Sequence, residues 1–247
     1  MTISHRTDAH EHGRSHGRGL GHEHRDVSGG WLRPAVFGAM DGLVTNVSLI
    51  SGVGGGGGSQ HAIVLTGLAG LAAGAFSMAA GEFVSVSSQN ELINSEVDKE
   101  RHELTFNPVA EQAELAGMLR HRGVSAATAR LAAAEISAHP EKALAVHALE
   151  ELGINPAELP SPVVAAGASF SAFAVGAVIP LLPYLLGFDA LGAALGLSAL
   201  AAVVGGGLVA RLTNRPFWRG AVRQLILGLV AAGITYLIGR AIGGMGA

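Results

Sequence analysis

The chain has 247 residues, 49% of them hydrophobic and only 14% charged, with a mean hydropathy of +0.40 and a formal net charge of −3. So apolar a composition excludes an ordinary soluble domain and points to a membrane protein. The complete lack of cysteine excludes disulfides, iron–sulfur clusters and thiolate metal sites, leaving oxygen, imidazole and thioether as the available metal ligands.

The first segment, residues 1–30, contains "HRTDAHEHGRSHGRGLGHEHRD", with six of the 11 histidines interspersed with glycine and arginine. It reads as a disordered tail; sequestration of cytosolic metal and plain solvation fit it equally well. It has no apolar core of the kind a cleavable signal peptide needs. Five runs of membrane length follow: Leu32 to Val53, Ala62 to Ser88, Val163 to Leu186, Ala190 to Leu212 and Phe217 to Ile242. The glycine-rich turn "GVGGGGGSQH" makes the first two an antiparallel pair spanning residues 31–88. A polar segment, 89–162, separates them from the last three, 163–247. Pro180 and Pro183 are expected to kink the third run.

Basic residues give the orientation. The link "RLTNRPFWRGAVR" carries Arg211, Arg215, Arg219 and Arg223, whereas the glycine turn carries none. The positive-inside rule therefore puts that link, the N-terminus and the 89–162 segment in the cytoplasm. With a rise of about 1.5 Å per residue, Asp41 lies roughly 13 Å deep in the first helix. By the same measure Met78 and Glu82, one turn apart on the returning helix, lie roughly 15 Å and 9 Å from its cytoplasmic end. Carboxylates facing lipid cost at least about 2.5 kcal/mol each, so the three are expected to share a hydrated or metal-bearing path. The competing reading makes Asp41 a helix-packing group, Met78 core filler and Glu82 a headgroup neighbour.

The polar segment repeats one arrangement: Glu100 and Glu103 are three apart, as are Glu111 and Glu114, each pair on one helical face. Asn107 and Pro108 read as an N-cap and first-turn proline between two helices. Ser125 is placed to cap a further helix, and Pro140 to begin another in which His147 and Glu151 are i,i+4 before Gly153 ends it. Converging acidic faces suit a divalent cation; a solvated acidic surface is the alternative.

The stretches "DGLVTNVSLISG", "GLAGLAAGAFSMAAGEFVSVSSQNE" and "SFSAFAVGAVIPLLP" resemble the vacuolar iron transporter family, over nearly everything from Trp31 to Ile242. The resemblance implies an all-α membrane protein with five transmembrane helices and a cytoplasmic helical metal-binding domain between helices 2 and 3. It implies a homodimer with a pore between subunits, exporting cytosolic Fe2+, and often Mn2+, in exchange for protons. Asp41, Met78 and Glu82 match the family's translocation positions, and Glu100, Glu103, Glu111, Glu114 and Glu151 match its metal-binding domain. His147 stands where plant members carry methionine. Gly38 and Gly42, at GxxxG spacing around Asp41, add a second reason to expect a dimer. No permanently bound cofactor and no nucleic-acid partner are expected; the partners are lipid, protons and Fe2+, Mn2+ or Zn2+ as cargo. The expected location is a bacterial inner membrane with the N-terminus cytoplasmic.

Carboxylate, imidazole and thioether suit such cations at modest affinity, which release requires. A metallohydrolase would want a compact motif such as HExxH, which is absent. A membrane-bound metal-responsive scaffold or sensor would have no need of carboxylates within the lipid.

Overall fold

The computed structural model describes residues 30–188 and 190–245. The six-histidine tail lies outside the described residues. All described regular elements are helical: α1 (Leu32–Gly55), α2 (Gln60–Phe106), α3 (Pro108–His121), α4 (Ala126–Ser137), α5 (Pro140–His147), α6 (Pro162–Leu185), α7 (Leu191–Leu212) and α8 (Phe217–Gly243). A π-helical turn, Ala148–Leu152, continues α5, and a single 3-10 turn, Pro156–Glu158, precedes α6. Five helices, α1, α2, α6, α7 and α8, are long and apolar enough to span a bilayer.

The helix ends follow from local chemistry. Ser59 caps α2 by accepting the Ala62 N–H, Ser125 caps α4 through the Thr128 N–H, and Ser161 caps α6 through the Val164 N–H. Gly57 takes a positive φ of 77° in the α1–α2 turn, and Gly153, at φ 68°, stops the π turn in the left-handed region. Asn107 occupies the N-cap position of α3 but makes no capping bond; its side-chain amide donates instead to Glu103. Pro108 is at the first turn, where its missing N–H costs nothing.

The most consequential departure from the sequence reading is the length of α2. It does not stop near Ser88 but runs on to Phe106, 47 residues in all, so the boundary drawn at 88/89 falls inside one unbroken helix. Nothing in residues 89–106 is a glycine or proline, and an i,i+3 pair, Glu96 with Lys99, supports the exposed face.

α1 is the hub of the spanning bundle, packing most extensively on α6 and then on α8, with further contacts to α2 and α7. Glycine makes this possible. A Cβ at Gly38 would lie 2.7 Å from the Ser169 carbonyl oxygen, and one at Gly42 or Gly176 would collide with the backbone carbonyl of Phe173 or Ala39. The Gly38/Gly42 pair thus receives α6 of the same chain. That corrects the sequence reading, which took its spacing as a reason for dimerisation: glycine spacing specifies close approach, not the partner. At the far end Gly52, Gly55 and Gly56 meet Thr235, Tyr236 and Gly239 of α8, and on α7 Gly206 meets Gly220 of α8.

Pro180 and Pro183 both lie in the last two turns of α6, which remains helical through them. Fully buried Asn46 on α1 donates its side-chain amide to the Ala177 carbonyl beside the first of these prolines. A polar bridge within the bundle thereby accompanies a stretch of helix deprived of two N–H donors. Outside the spans, α3 and α4 pair, while α5 packs on α2 and α4. Two small cores hold this part: Val97, Leu144 and Ala148 between α2 and α5, and Leu115, Ala116 and Ala133 between α3 and α4.

The glycine seam makes a direct prediction. Gly42→Ala is expected to lower thermal stability by about 1–3 kcal/mol through overpacking against α6. Gly167→Ala, whose Cβ would meet nothing within 4 Å on α6, should leave the melting midpoint unchanged or slightly raised. Thermal unfolding of the detergent-solubilised variants provides the comparison; equal midpoints would reject the seam.

Candidate metal centre

Three elements, α2 beyond its apolar stretch, α3, and α5 with its π turn, converge on one point. α2 contributes Glu100, α3 contributes Glu111, and α5 with its π turn contributes His147 and Glu151. Ligand atoms from these four side chains all lie within 4.8 Å of one another. His147 is fully buried, held there as the final residue of α5 between the two small cores. Its Nδ1 lies 2.9 Å from Glu151 Oε1, 3.0 Å from Glu100 Oε1 and 3.7 Å from Glu111 Oε2. Nδ1 is thus the ring nitrogen turned toward the three carboxylates. Nε2 is buried with no hydrogen-bond partner among the described residues.

The side chains grade from buried to open: His147 at 0% exposed, Glu111 at 10%, Glu100 at 13% and Glu151 at 31%. Glu151 therefore marks the mouth. At the rim Arg122, the residue that ends α3, pairs with Glu150 at 3.0 Å and ties α3 to the π turn.

Electrostatics reflect the crowding. Burial, reinforced by the charge of Glu151, pushes the Glu100 carboxyl up to about 7; His147 pulls it down, while Glu111 and Glu114 add to the rise. Glu111 is also raised, by burial first and by Glu114 next. Cation-free, Glu100 is therefore partly protonated near neutral pH. Three carboxylate oxygens and an imidazole nitrogen form a hard-to-borderline donor set suited to Fe2+, Mn2+ or Zn2+.

The other glutamates named from the sequence sit differently. Glu103 is exposed and engaged by Asn107; Glu114 is exposed and lies close enough to act on Glu100 and Glu111 through its charge. Neither belongs to the gathered group.

Within the spanning bundle, Asp41 is half-buried on α1 and accepts the Thr45 hydroxyl hydrogen bond at 3.3 Å. Met78 is half-buried against the α2–α6 cluster of Ala75, Phe173 and Ala177. Glu82 is half-buried, one turn further along α2. Sequence reasoning missed the π turn that carries Glu151 and the Arg122–Glu150 bridge. Gly153 was the available signal for the first; the second joins residues too far apart in sequence for any local pattern to expose.

A family model described as the VIT family matches residues 32–240. The chain is 36% identical over 226 residues to the "Vacuolar iron transporter" of Acanthamoeba castellanii, covering 89% of this chain and 82% of that protein. It is 34% identical to "Vacuolar iron transporter homolog 1" of Arabidopsis thaliana, covering 86% of this chain and 84% of the relative. To "Vacuolar iron transporter homolog 1" of Oryza sativa subsp. japonica it is 36% identical, covering 83% and 71%. With five bilayer-length helices and a family match from the first of them to the last, the chain belongs to the VIT family of membrane transporters.

Proposed function

We infer that this chain exports a divalent cation, Fe2+ and by the same donor chemistry Mn2+, from the cytosol in exchange for protons. The observation that carries the reading is the Glu100, Glu111, His147 and Glu151 cluster, mounted partly on a helix that is continuous with a bilayer-length span. The relatives' names speak for iron as cargo. Arg211, Arg215, Arg219 and Arg223 beside the spans favour a cytosolic side for the cluster and a cytoplasmic N-terminus. In this reading residues 89–162 form the cytosolic metal-binding domain, and Asp41, Met78 and Glu82 line the path.

The cluster supports proton coupling as well as capture. A cation entering it must displace the proton held on Glu100, and a carboxylate that exchanges cation for proton near neutral pH is the element an antiporter requires. Glu103 and Glu114, exposed beside the cluster, act as charges that draw cations in.

A homodimer completes the path. Ser77, Gly81, Ser85 and Ser88 follow one another at i, i+4, i+8 and i+11 on α2, and all four are exposed. A small, polar stripe turned to lipid is unfavourable and is better covered by a second copy, with Met78 and Glu82 bordering the seam.

Four measurements test these statements. Proteoliposomes carrying the wild type should accumulate Fe2+ with proton counterflow, and Asp41→Asn, which keeps shape while removing charge, should reduce flux by at least about tenfold. A sensor or scaffold would bind the cation without moving it, and undiminished flux in Asp41→Asn would remove Asp41 from the path.

The raised Glu100 carboxyl sets the pH dependence. Between its ordinary value of 4.5 and about 7 the folded, cation-free site keeps a proton that the unfolded chain has lost. Stability of the cation-free protein from this group therefore falls as pH rises through that window, and cation affinity rises. Mn2+ titrations are expected to weaken by up to about tenfold per pH unit below 7, with Glu100→Gln binding weakly and without that dependence. His147→Met should shift preference away from Zn2+, because a thioether is softer than imidazole; an unchanged metal order would show that His147 is not a ligand.

Because the chain has no cysteine, a single Ser85→Cys variant reports on the seam. Oxidation in membranes is expected to give a covalent dimer, whereas Leu229→Cys, exposed on α8, should stay monomeric. The reverse pattern would move the interface to α8.

A further inference from the structure

The α7–α8 connection carries a charged surface that neither the cluster nor the path uses. Arg211, Arg215, Arg219 and Arg223 are all exposed, and so is Arg33 in the first turn of α1. None of the five has a carboxylate within ion-pair distance among the described residues, unlike Lys99, Arg101 and Arg122, which do. Alternating spans put the start of α1, the end of α7 and the start of α8 on one side of the bilayer. Met40 of α1 meeting Gly205 of α7 agrees with that placement.

The turn is built firmly. Gly206 and Gly220 bring the two backbones together, and the Phe217 ring fills the space beside Gly207 that a side chain there would occupy. The Arg211 guanidinium lies 5.5 Å from the centre of the Phe217 ring, and that of Arg219 lies 5.4 Å from the Trp218 ring. Stacked guanidinium groups keep their N–H edges free while losing little further freedom on binding. Trp218 is itself 62% exposed, as an anchor at the level of lipid headgroups would be.

We propose that this surface binds the phosphate of an anionic phospholipid, with Arg215, Arg219 and Arg223 contacting the headgroup and Trp218 lying against its glycerol and upper acyl chain. Charge complementarity selects the anionic class: guanidinium forks match phosphate oxygens, and with no protein carboxylate to neutralise them the arginines favour net-negative over zwitterionic headgroups. The position at the ends of two bilayer-length helices selects a lipid over a soluble anion.

The test uses the full chain in a neutral detergent. Thermal midpoints are measured while dioleoylphosphatidylglycerol, dioleoylphosphatidylcholine or inorganic phosphate is added at equal phosphorus concentration. Phosphatidylglycerol is expected to raise the midpoint, saturably, while the other two do not. The combined Arg215→Gln, Arg219→Gln and Arg223→Gln variant should need at least about tenfold more phosphatidylglycerol for half the effect. Should that variant fail to fold, the single Arg215→Gln, at an exposed position, should need about fivefold more. Equal stabilisation by phosphatidylcholine, equal stabilisation by inorganic phosphate, or an unshifted response in the arginine variants would each overturn the assignment.

Discussion

Like charges held close together in a partly dry pocket must be compensated, and this requirement governs the helical part of the chain outside the spans. Glu100, Glu111 and Glu151 each turn an oxygen toward the same nitrogen of His147, so one ring nitrogen faces three carboxylates. Burial first, and then the charge of the neighbouring carboxylates, pushes the Glu100 carboxyl up to about 7 and raises Glu111 with it. The two small cores and the Arg122–Glu150 bridge keep the crowd from dispersing into solvent.

The spanning bundle answers a different problem with small residues. Apolar side chains gain little by leaving lipid for one another, so the helices hold through close backbone approach, and α1 meets both α6 and α8 along glycines. The cost is that α1 tolerates almost no added volume on those faces. The benefit is that Asp41 sits on a helix whose azimuth is fixed by neighbours on two sides, with Thr45 one turn on donating to it.

Much of this was legible from the sequence. Hydropathy and the glycine turn marked the five spans nearly to their ends, and Ser125, Pro140 and Gly153 marked several helix limits. Where reading fell short, the reasons are physical. Hydropathy detects where lipid ends but not where a helix ends, so α2 ran eighteen residues past the boundary drawn for it, on helix-compatible polar residues. The i,i+3 spacing of Glu100 with Glu103, and of Glu111 with Glu114, showed that each pair shares a face. It did not show which member turns inward, since residues three apart differ by about 60° around the axis and the choice rests on where α3 and α5 pack. The GxxxG pair around Asp41 promised a tight contact without naming its partner, and the partner proved to be α6.

The unbroken course of α2 ties the two halves of the molecule in a specific way. Glu82 and Glu100 are eighteen residues apart, which is five turns at 3.6 residues per turn, so they project from the same side of the helix about 27 Å apart. α2 is anchored in the bundle by its packing on α6 and α1, and it cannot shift its outer end without disturbing that packing. The other three members of the cluster ride on α3 and on α5 with its π turn, which are joined to the rest by short connections and held by the two small cores. The spanning bundle therefore places Glu100, whereas the packing of α3 and α5 places Glu111, His147 and Glu151 around it.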